Sequence, residues 1–523
     1  MGFSDLLDSL GGLGTFQMLQ TALLLLPGCL FSCQNFLQNF SAAEPDHRCR
    51  LPSPDNRSGA GDLTGPVGAR DLLRASVPLD AQGRPDRCLR YPRPQWQLLL
   101  PNASAEGLVT EGCLQGWVYE RTVFLSTIVT EWDLVCAKKP LKSIAQSIYM
   151  TGLMVGSVVF GILSDRFGRK TMLFWSSMQS AAMGVCVAFI PSFVGYCLFR
   201  FLSGIALSGT FLTTVEWTPT QKRTVVNSFA TYTITVGQIV LSGWAYLIPD
   251  WRWLQFSTSV AFGIILLYSW WLPESGCWLV VHHRLAEAVK NLQKVAWING
   301  RKEQGAKLTP EVHQGLLSPR LVWKGRSVSL PLMSISLTAP RFSSGFSFYG
   351  LALDLQKFGF SIYWVQIVFA AVDVPSKLLV AFGMVYLGRR ITLISFLLLG
   401  GSMIIINMFV PSGEMILALL GKGGLSGSFA CLYQYTLELF PTEIRQMGLS
   451  SGVFGARVGS LLAPLVFIIG NYVPILQPVM FGLAPVLAAL SSCFLRETRN
   501  LPLPETIREI EERLVSLTCC SSG

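Results

Sequence analysis

Apolar runs of about 20 residues recur from Phe16 to Leu495 between short polar joints, each long enough to cross a hydrocarbon core of about 30 Å as a helix. They are continuous rather than alternating with period two, which excludes a transmembrane barrel and leaves a bundle of membrane helices. Twelve spans are predicted, at 16–38, 143–163, 171–190, 193–214, 225–247, 252–272, 329–350, 361–385, 391–410, 414–437, 447–470 and 473–495. Only 14% of the 523 residues are charged. Soluble domains carry about 25%, so a water-soluble enzyme of this length is excluded.

The 41 Lys and Arg outnumber the 31 Asp and Glu, an excess that in a membrane protein points to cytoplasmic loops rather than nucleic acid. Lys and Arg crowd the joints after spans two, four, six, eight and ten: Arg166, Arg169 and Lys170; Lys222 and Arg223; Arg284 to Lys302; Arg389 and Arg390; Arg445. The positive-inside rule makes those joints cytoplasmic, and both termini with them. Asp5 and Asp8 precede the first span without a basic residue, so it is expected to persist as a helix rather than be cleaved as a signal peptide. Segment 41–142 then lies outside the cell. Sequons at Asn39, Asn56 and Asn102 make it a candidate glycosylated loop. Its Cys49, Cys88, Cys113 and Cys136 are an even number in an oxidising compartment, which predicts two disulfides with three pairings open.

The chain repeats itself. Glu216-Trp-Thr-Pro219-Thr220-Gln-Lys-Arg223 recurs as Glu438-Leu-Phe-Pro441-Thr442-Glu-Ile-Arg445, an offset of 222. Gly168-Arg169-Lys170 recurs as Gly388-Arg389-Arg390 at 220, and Pro273-Glu274-Ser275 is echoed by Arg496-Glu497-Thr498 at 223. Six spans are therefore duplicated in parallel. The predicted organisation is a first half at 1–278 that includes the 41–142 loop, a cytoplasmic linker at 279–328, a second half at 329–498 and a cytoplasmic tail at 499–523. The matched motifs all fall at cytoplasmic helix ends. Asp165, Glu216, Glu274, Glu438 and Glu497 are candidates to pair there with Arg169, Arg223, Arg389 and Arg445 as a gate between two rocking bundles.

Gly161-Ile-Leu163-Ser-Asp165-Arg166-Phe-Gly168-Arg169-Lys170 resembles the loop signature of the major facilitator superfamily. Phe3-Ser-Asp-Leu-Leu, Asn39-Phe-Ser-Ala-Ala, Ser126-Thr-Ile-Val-Thr-Glu-Trp-Asp-Leu-Val-Cys136, Pro273-Glu-Ser and Glu497-Thr-Arg resemble the organic anion transporter branch of solute carrier family 22. The resemblance covers essentially the whole chain. It implies an all-α membrane protein of twelve helices in two pseudo-symmetric six-helix bundles, and exchange of small organic anions against a counter-anion such as a dicarboxylate at the plasma membrane.

An ionisable residue inside a span is costly and marks a candidate functional site. Arg200 and Lys422 occupy equivalent places in the two halves, 222 residues apart, and are expected to be scaffold. Lys377 and Arg457 have no charged counterparts. Lys377 lies 11 residues before Gly388 and Arg457 lies 12 after Arg445. At 1.5 Å per residue these offsets place them about 16 and 18 Å above the cytoplasmic end, near the midplane. Pairing with Asp373, one turn away, would neutralise Lys377. Arg457 has no acid in its own span, and its planar fork suits a carboxylate or sulfate. The resemblance implies anion recognition by basic residues at both places. Tyr232, Phe346, Phe348, Tyr349, Phe429 and Tyr433 are candidates to wall the cavity, with Asn35 at its mouth.

All four histidines lie outside the spans and no Walker-type glycine loop is present, so neither a metal nor a nucleotide cofactor is expected, and transport would run on gradients or exchange. Three features depart from the pattern that the resemblance implies: Cys277 stands at an arginine position, span four is about four residues short, and Pro340-Arg341 sits within span seven. They keep a non-transporting sensor or degenerate paralogue in view. A cation or zwitterion carrier of the same family would call for an acid where Arg457 stands.

Overall fold

The computed structural model describes residues 14–51, 69–80, 83–99, 107–211, 223–306, 329–410, 414–440 and 445–499. Glu216 and the sequons at Asn56 and Asn102 lie outside the described residues, as do the side chains of Arg223, Cys277 and Arg445.

Among the described residues a helix or helix pair occupies each predicted span: Thr15–Phe36, Pro140–Phe167, Arg169–Phe189, Phe193–Phe211, Arg223–Leu247, Trp251–Val260 with Phe262–Ser269, Ser329–Ala352, Ile362–Ala371 with Asp373–Tyr386, Arg389–Ile406, Glu414–Leu439, Arg445–Gly470 and Leu476–Ser492. They are called spans one to twelve below. Among the described residues, eight helices are long and apolar enough to cross a membrane by length and composition. Small residues set the closest approaches. A Cβ on Gly152 would meet the Phe201 carbonyl at 2.3 Å and one on Gly204 the Tyr149 carbonyl at 2.6 Å, so spans two and four touch backbone to backbone. In the second half, Gly345 and Gly459 lay span seven on span eleven in the same way.

Pro340 sits within span seven without ending it. The neighbouring Arg341 is buried, and its Nη2 donates to the Leu432 carbonyl at 3.1 Å and Thr436 Oγ1 at 2.8 Å in span ten. The unusual dipeptide therefore ties two helices together.

The repeat is clearest at the joints predicted to be cytoplasmic. Gly168 and Gly388 have φ of 96° and 98°, a backbone region that glycine enters without a steric penalty. Each is followed at once by a helix whose first amides meet a carboxylate. Glu274 Oε1 accepts from the Arg169 and Lys170 amides at 2.7 and 3.1 Å. Glu497 accepts from the Arg389 and Arg390 amides at 2.8 and 3.0 Å. A carboxylate on the exposed amides of a helix start is favoured by both hydrogen bonding and the helix dipole. This revises the expected roles of Glu274 and Glu497: both bind backbone amides at helix starts.

Residues 40–142 and 249–251 cluster as a unit distinct from the membrane helices, rather than as part of the first half. Within it, His47–Cys49 pairs antiparallel with Trp117–Tyr119, and Leu89–Arg90 with Glu111–Gly112. Disulfides join Cys49 to Cys113 and Cys88 to Cys136. Arg90 pairs with Glu111 at 2.9 Å, and the buried Trp251 donates to Glu131 Oε2 at 2.9 Å. Small units lacking a large core commonly depend on such crosslinks.

Two outcomes follow. Non-reducing peptide mapping should recover Cys49 joined to Cys113 and Cys88 joined to Cys136; any other pairing contradicts the structure. Gly388→Val should lower thermal stability by about 1–3 kcal/mol, because it forces a side chain into a positive φ and against Glu497, whose Oε2 lies 2.6 Å from a Cβ built there. An unchanged melting curve would refute that role for Gly388.

Candidate functional site

Arg457 is positioned by the glycines around it. Gly452, Gly455 and Gly459 press span eleven against Arg341, Thr338 and Phe342 of span seven. Two residues from Gly455, Arg457 is turned by about 200° onto the other side of its helix. There its Cζ lies 5.4 Å from the Phe31 ring centroid of span one, and Tyr349 lies nearby. Tyr349 stacks on Phe36 at 6.0 Å and meets Phe348 edge-on at 5.6 Å, while Phe348 meets Phe36 at 6.5 Å and Phe429 at 5.7 Å. Rings from spans one, seven and ten thus form a continuous aromatic wall beside a half-buried guanidinium.

Lys377 reaches from span eight to span five. Its Nζ donates to the Thr231 carbonyl at 3.0 Å and Thr235 Oγ1 at 3.1 Å, and lies 5.5 Å from the Tyr232 ring centroid. The local pairing with Asp373 does not form. Lys422 takes that carboxylate instead, Nζ to Oδ1 at 2.8 Å, with both side chains nearly fully buried. Lys422 also donates to the Phe369 carbonyl and lies 5.2 Å from the Phe348 ring centroid. Among the described residues no carboxylate lies within salt-bridge distance of Lys377 or Arg457.

The structure does not bring every candidate into this group. Phe346 is buried against Phe481, Leu425 and Ala463, so it packs the core of the second half rather than walling a cavity. Tyr433 lies close enough to act electrostatically on Arg341. Asn35 is buried, not at a mouth, because its Oδ1 accepts from the Tyr149 hydroxyl at 3.0 Å. Asn39 is buried as well. The nitrogen that would carry a glycan donates to the Ala352 carbonyl at 2.8 Å and Gln366 Oε1 at 2.9 Å, which excludes this sequon as an acceptor in the folded chain. Phe31, Phe36 and Tyr149 join the site, although sequence reasoning did not single them out. Their signal was weak: aromatic residues in apolar helices are common, and only contact separates wall from packing.

At the helix ends predicted to be cytoplasmic, Arg169 Nη1 contacts Asp165 at 2.6 Å and donates to Ser164 Oγ at 2.7 Å. Arg389 grips Glu438 in a fork, its Nε 2.9 Å from Oε2 and its Nη2 donating to Oε1 at 3.0 Å, and Thr498 donates to the same carboxylate at 2.6 Å. All these bonds stay within one half. The other members of the expected gate, Glu216 and the side chains of Arg223 and Arg445, lie outside the described residues.

Bonds between halves lie elsewhere. Gln366 Nε2 donates to Gln238 Oε1 at 3.2 Å, and with Asn39 it links spans one, five, seven and eight. Ser147 Oγ donates to the Leu461 carbonyl at 3.1 Å, and Tyr246 meets Tyr363 edge-on at 5.6 Å. Except for Lys377, these contacts sit toward the predicted outer helix ends.

Comparison with known proteins identifies the scaffold. Residues 110–506 match the family described as sugar (and other) transporter. The chain is 48% identical to solute carrier family 22 member 20 of Mus musculus, covering 98% of this chain and 95% of that one. The chain belongs to solute carrier family 22. Solute carrier family 22 member 6-A of Xenopus laevis is 45% identical and organic anion transporter 3 of Rattus norvegicus 44%, each over 98% of this chain and 95% of its own length. The xylose transporter XylE of E. coli, in a partially occluded inward-open conformation, superposes with a TM-score of 0.61 at 15% identity, covering 94% of this chain and all of that one. The fold is that of the major facilitator superfamily. This member of family 22 is accordingly a multi-pass membrane transporter and not an enzyme.

Asp373→Asn should leave the Lys422 ammonium buried without a counter-charge and lower stability by about 3–5 kcal/mol. Adding Lys422→Met should recover most of that loss. A single variant that melts like wild type would show the pair to be dispensable.

Proposed function

We propose that this protein exchanges organic anions across the plasma membrane, taking up one anion against a dicarboxylate or small monocarboxylate. The observations that carry this reading are two cations, Arg457 beside an aromatic wall and Lys377 bonded to neutral groups of span five, neither matched by a carboxylate among the described residues. Two positive charges near the midplane without a counter-charge favour an anionic cargo, since an ionised group in a low-dielectric interior is stable only when paired. The rings Phe36, Phe348, Tyr349 and Phe429 suit a flat organic body, and the Arg457 fork suits its carboxylate. The relatives named organic anion transporter 3 support the same class of cargo.

In this reading both termini are cytoplasmic, residues 1–278 and 329–498 form the two halves, and Asn56 and Asn102 carry glycans on the outer loop. The bonds between halves at the outer ends, with cytoplasmic ion pairs kept inside each half, correspond to an inward-facing state. Release of Asn39 and Gln366 from their partners opens the outer side. Lys377 acts as a movable contact: it donates to span five when empty and to the anion when loaded, so binding itself loosens a bond between halves.

Arg457→Lys keeps the charge and loses the two-pronged donor geometry. In proteoliposomes preloaded with a dicarboxylate, uptake of labelled aromatic carboxylates should fall about tenfold, the scale of one charge-assisted hydrogen bond. The amount of folded protein should not change. Wild-type uptake by this variant, or uptake indifferent to the internal dicarboxylate, would overturn the binding role or the exchange mode respectively.

A further inference from the structure

Between spans six and seven the helix Leu285–Ile298 is fastened to the ends of spans one and six. Val289, Leu292, Val295 and Ala296 pack on Phe16, whose ring lies 6.5 Å from that of Trp271. Just past the helix, Asn299 accepts from the Phe16 amide at 2.9 Å and donates to Gln17 at 3.0 Å. These contacts use one face, and the opposite face carries Lys290 and Lys294 exposed, one turn apart. Lys294 Nζ lies 5.4 Å from the Trp271 ring centroid. From the start of span three, Lys170 Nζ donates to the neighbouring Trp270 carbonyl at 2.8 Å, which uses one of its three N–H groups. The Lys170 and Lys294 ammoniums are near enough to repel each other. Glu274 also lies close, but its Oε1 is held by the Arg169 and Lys170 amides. Among the described residues neither ammonium has a carboxylate within salt-bridge distance. Like charges fixed side by side on three packed elements are relieved by an anion that both can reach.

We propose that Lys170 and Lys294 hold the headgroup of an acidic phospholipid whose acyl chains lie along span six. The surface leading away from the lysines favours a lipid over a soluble phosphate. Val260, Ile264, Leu267 and Trp271 are all exposed and recur at intervals of four, three and four residues, which stacks them on one side of the helix pair. Leu267 is 80% exposed and Trp270 79%, so the stripe is open to hydrocarbon up to the point where the lysines begin. Indole rings at a span end sit at headgroup level, and basic clusters at that level attract acidic lipids. Two adjacent ammoniums match a phosphomonoester, which carries close to two negative charges at neutral pH, better than a diester with one. A lipid seated here would bridge span three to the helix after span six. The site shares no residue with the cargo group, and the proposal holds whichever anion is carried and whichever leaflet this end meets.

The test titrates the purified full-length protein, in uncharged detergent, with dioctanoyl phosphatidic acid and follows binding by thermophoresis. Binding should saturate. Lys170→Gln combined with Lys294→Gln should weaken it at least tenfold, the scale of two basic contacts to an acidic lipid. Lys357→Gln, at an exposed lysine elsewhere, should leave it unchanged. If the double variant does not fold, Lys294→Gln alone, which breaks no hydrogen bond among the described residues, should weaken binding at least threefold. Dioctanoyl phosphatidylglycerol, a diester, and glycerol phosphate, which lacks the chains, should each bind at least tenfold more weakly than phosphatidic acid. Unsaturable binding, an equal loss in Lys357→Gln, or full affinity in the lysine variants would overturn the site. Glycerol phosphate binding as tightly as the lipid would overturn the assignment to a lipid, and phosphatidylglycerol binding as tightly would overturn the preference for a monoester.

Discussion

The buried charges on the spans are out of balance, and much of the site follows from that. Arg200, Arg341, Lys377, Lys422 and Arg457 lie within helices, and among the described residues only Asp373 stands opposite them as a carboxylate in salt-bridge contact. Each cation is handled differently. Lys422 is neutralised, Arg341 is spread over a carbonyl and a hydroxyl, Lys377 is lent to span five, Arg457 rests against aromatic rings, and Arg200 stacks on a tyrosine with its donors unfilled. Desolvation makes an ammonium or guanidinium unstable in such places unless something negative arrives. A protein built to admit anions turns that instability into attraction.

The sequence repeat made the architecture legible because its motifs sit where geometry allows few alternatives. Gly168 and Gly388 are each required by a positive φ and by the carboxylate packed against the same point, so the motif marks a turn, a helix start and a cap together. Spans, loop order and the asymmetry of Lys377 and Arg457 could all be read by aligning the halves. What could not be read was which carboxylate serves which donor. Glu274 and Glu497 resemble ion-pair partners in sequence because they recur near arginines, but the amides at a helix start compete for the same oxygens and hold them at 2.7–3.1 Å.

Depth along a helix is recoverable from residue counts, but the direction a side chain faces in a membrane span is not. Polar faces are sparse, and lipid-facing and core-facing residues are equally apolar. Phe346 and Phe348 are two residues apart and so point to different sides, one into the core of the second half and the other toward Phe36. Asn39 carries a sequon and lies near the outer boundary, yet the helix continues past it and turns its amide inward onto Ala352 and Gln366. Arg200 and Lys422 are equal by alignment and unequal by environment, because the acid that distinguishes them is on another helix.

Alternating access places one further demand on these contacts. If the halves move as bodies, bonds within each half must outlast bonds between them. The two classes are chemically distinct here. Within halves lie the forked Arg389 and Glu438 pair, the capped helix starts and the buried Lys422 and Asp373 pair, all charge-assisted. Toward the predicted outer ends, the halves are joined by amide and hydroxyl bonds of neutral groups, which contribute roughly 0.5–1.5 kcal/mol each and are readily exchanged for water. The exceptions are Lys377, which donates to Thr231 and Thr235 of span five, and Arg457, which lies against Phe31 of span one; these charged contacts between halves are the two cations proposed to meet the cargo. In the proposed reading, charges placed there make these contacts the ones that an arriving anion displaces, which couples occupancy to motion without requiring a separate sensor.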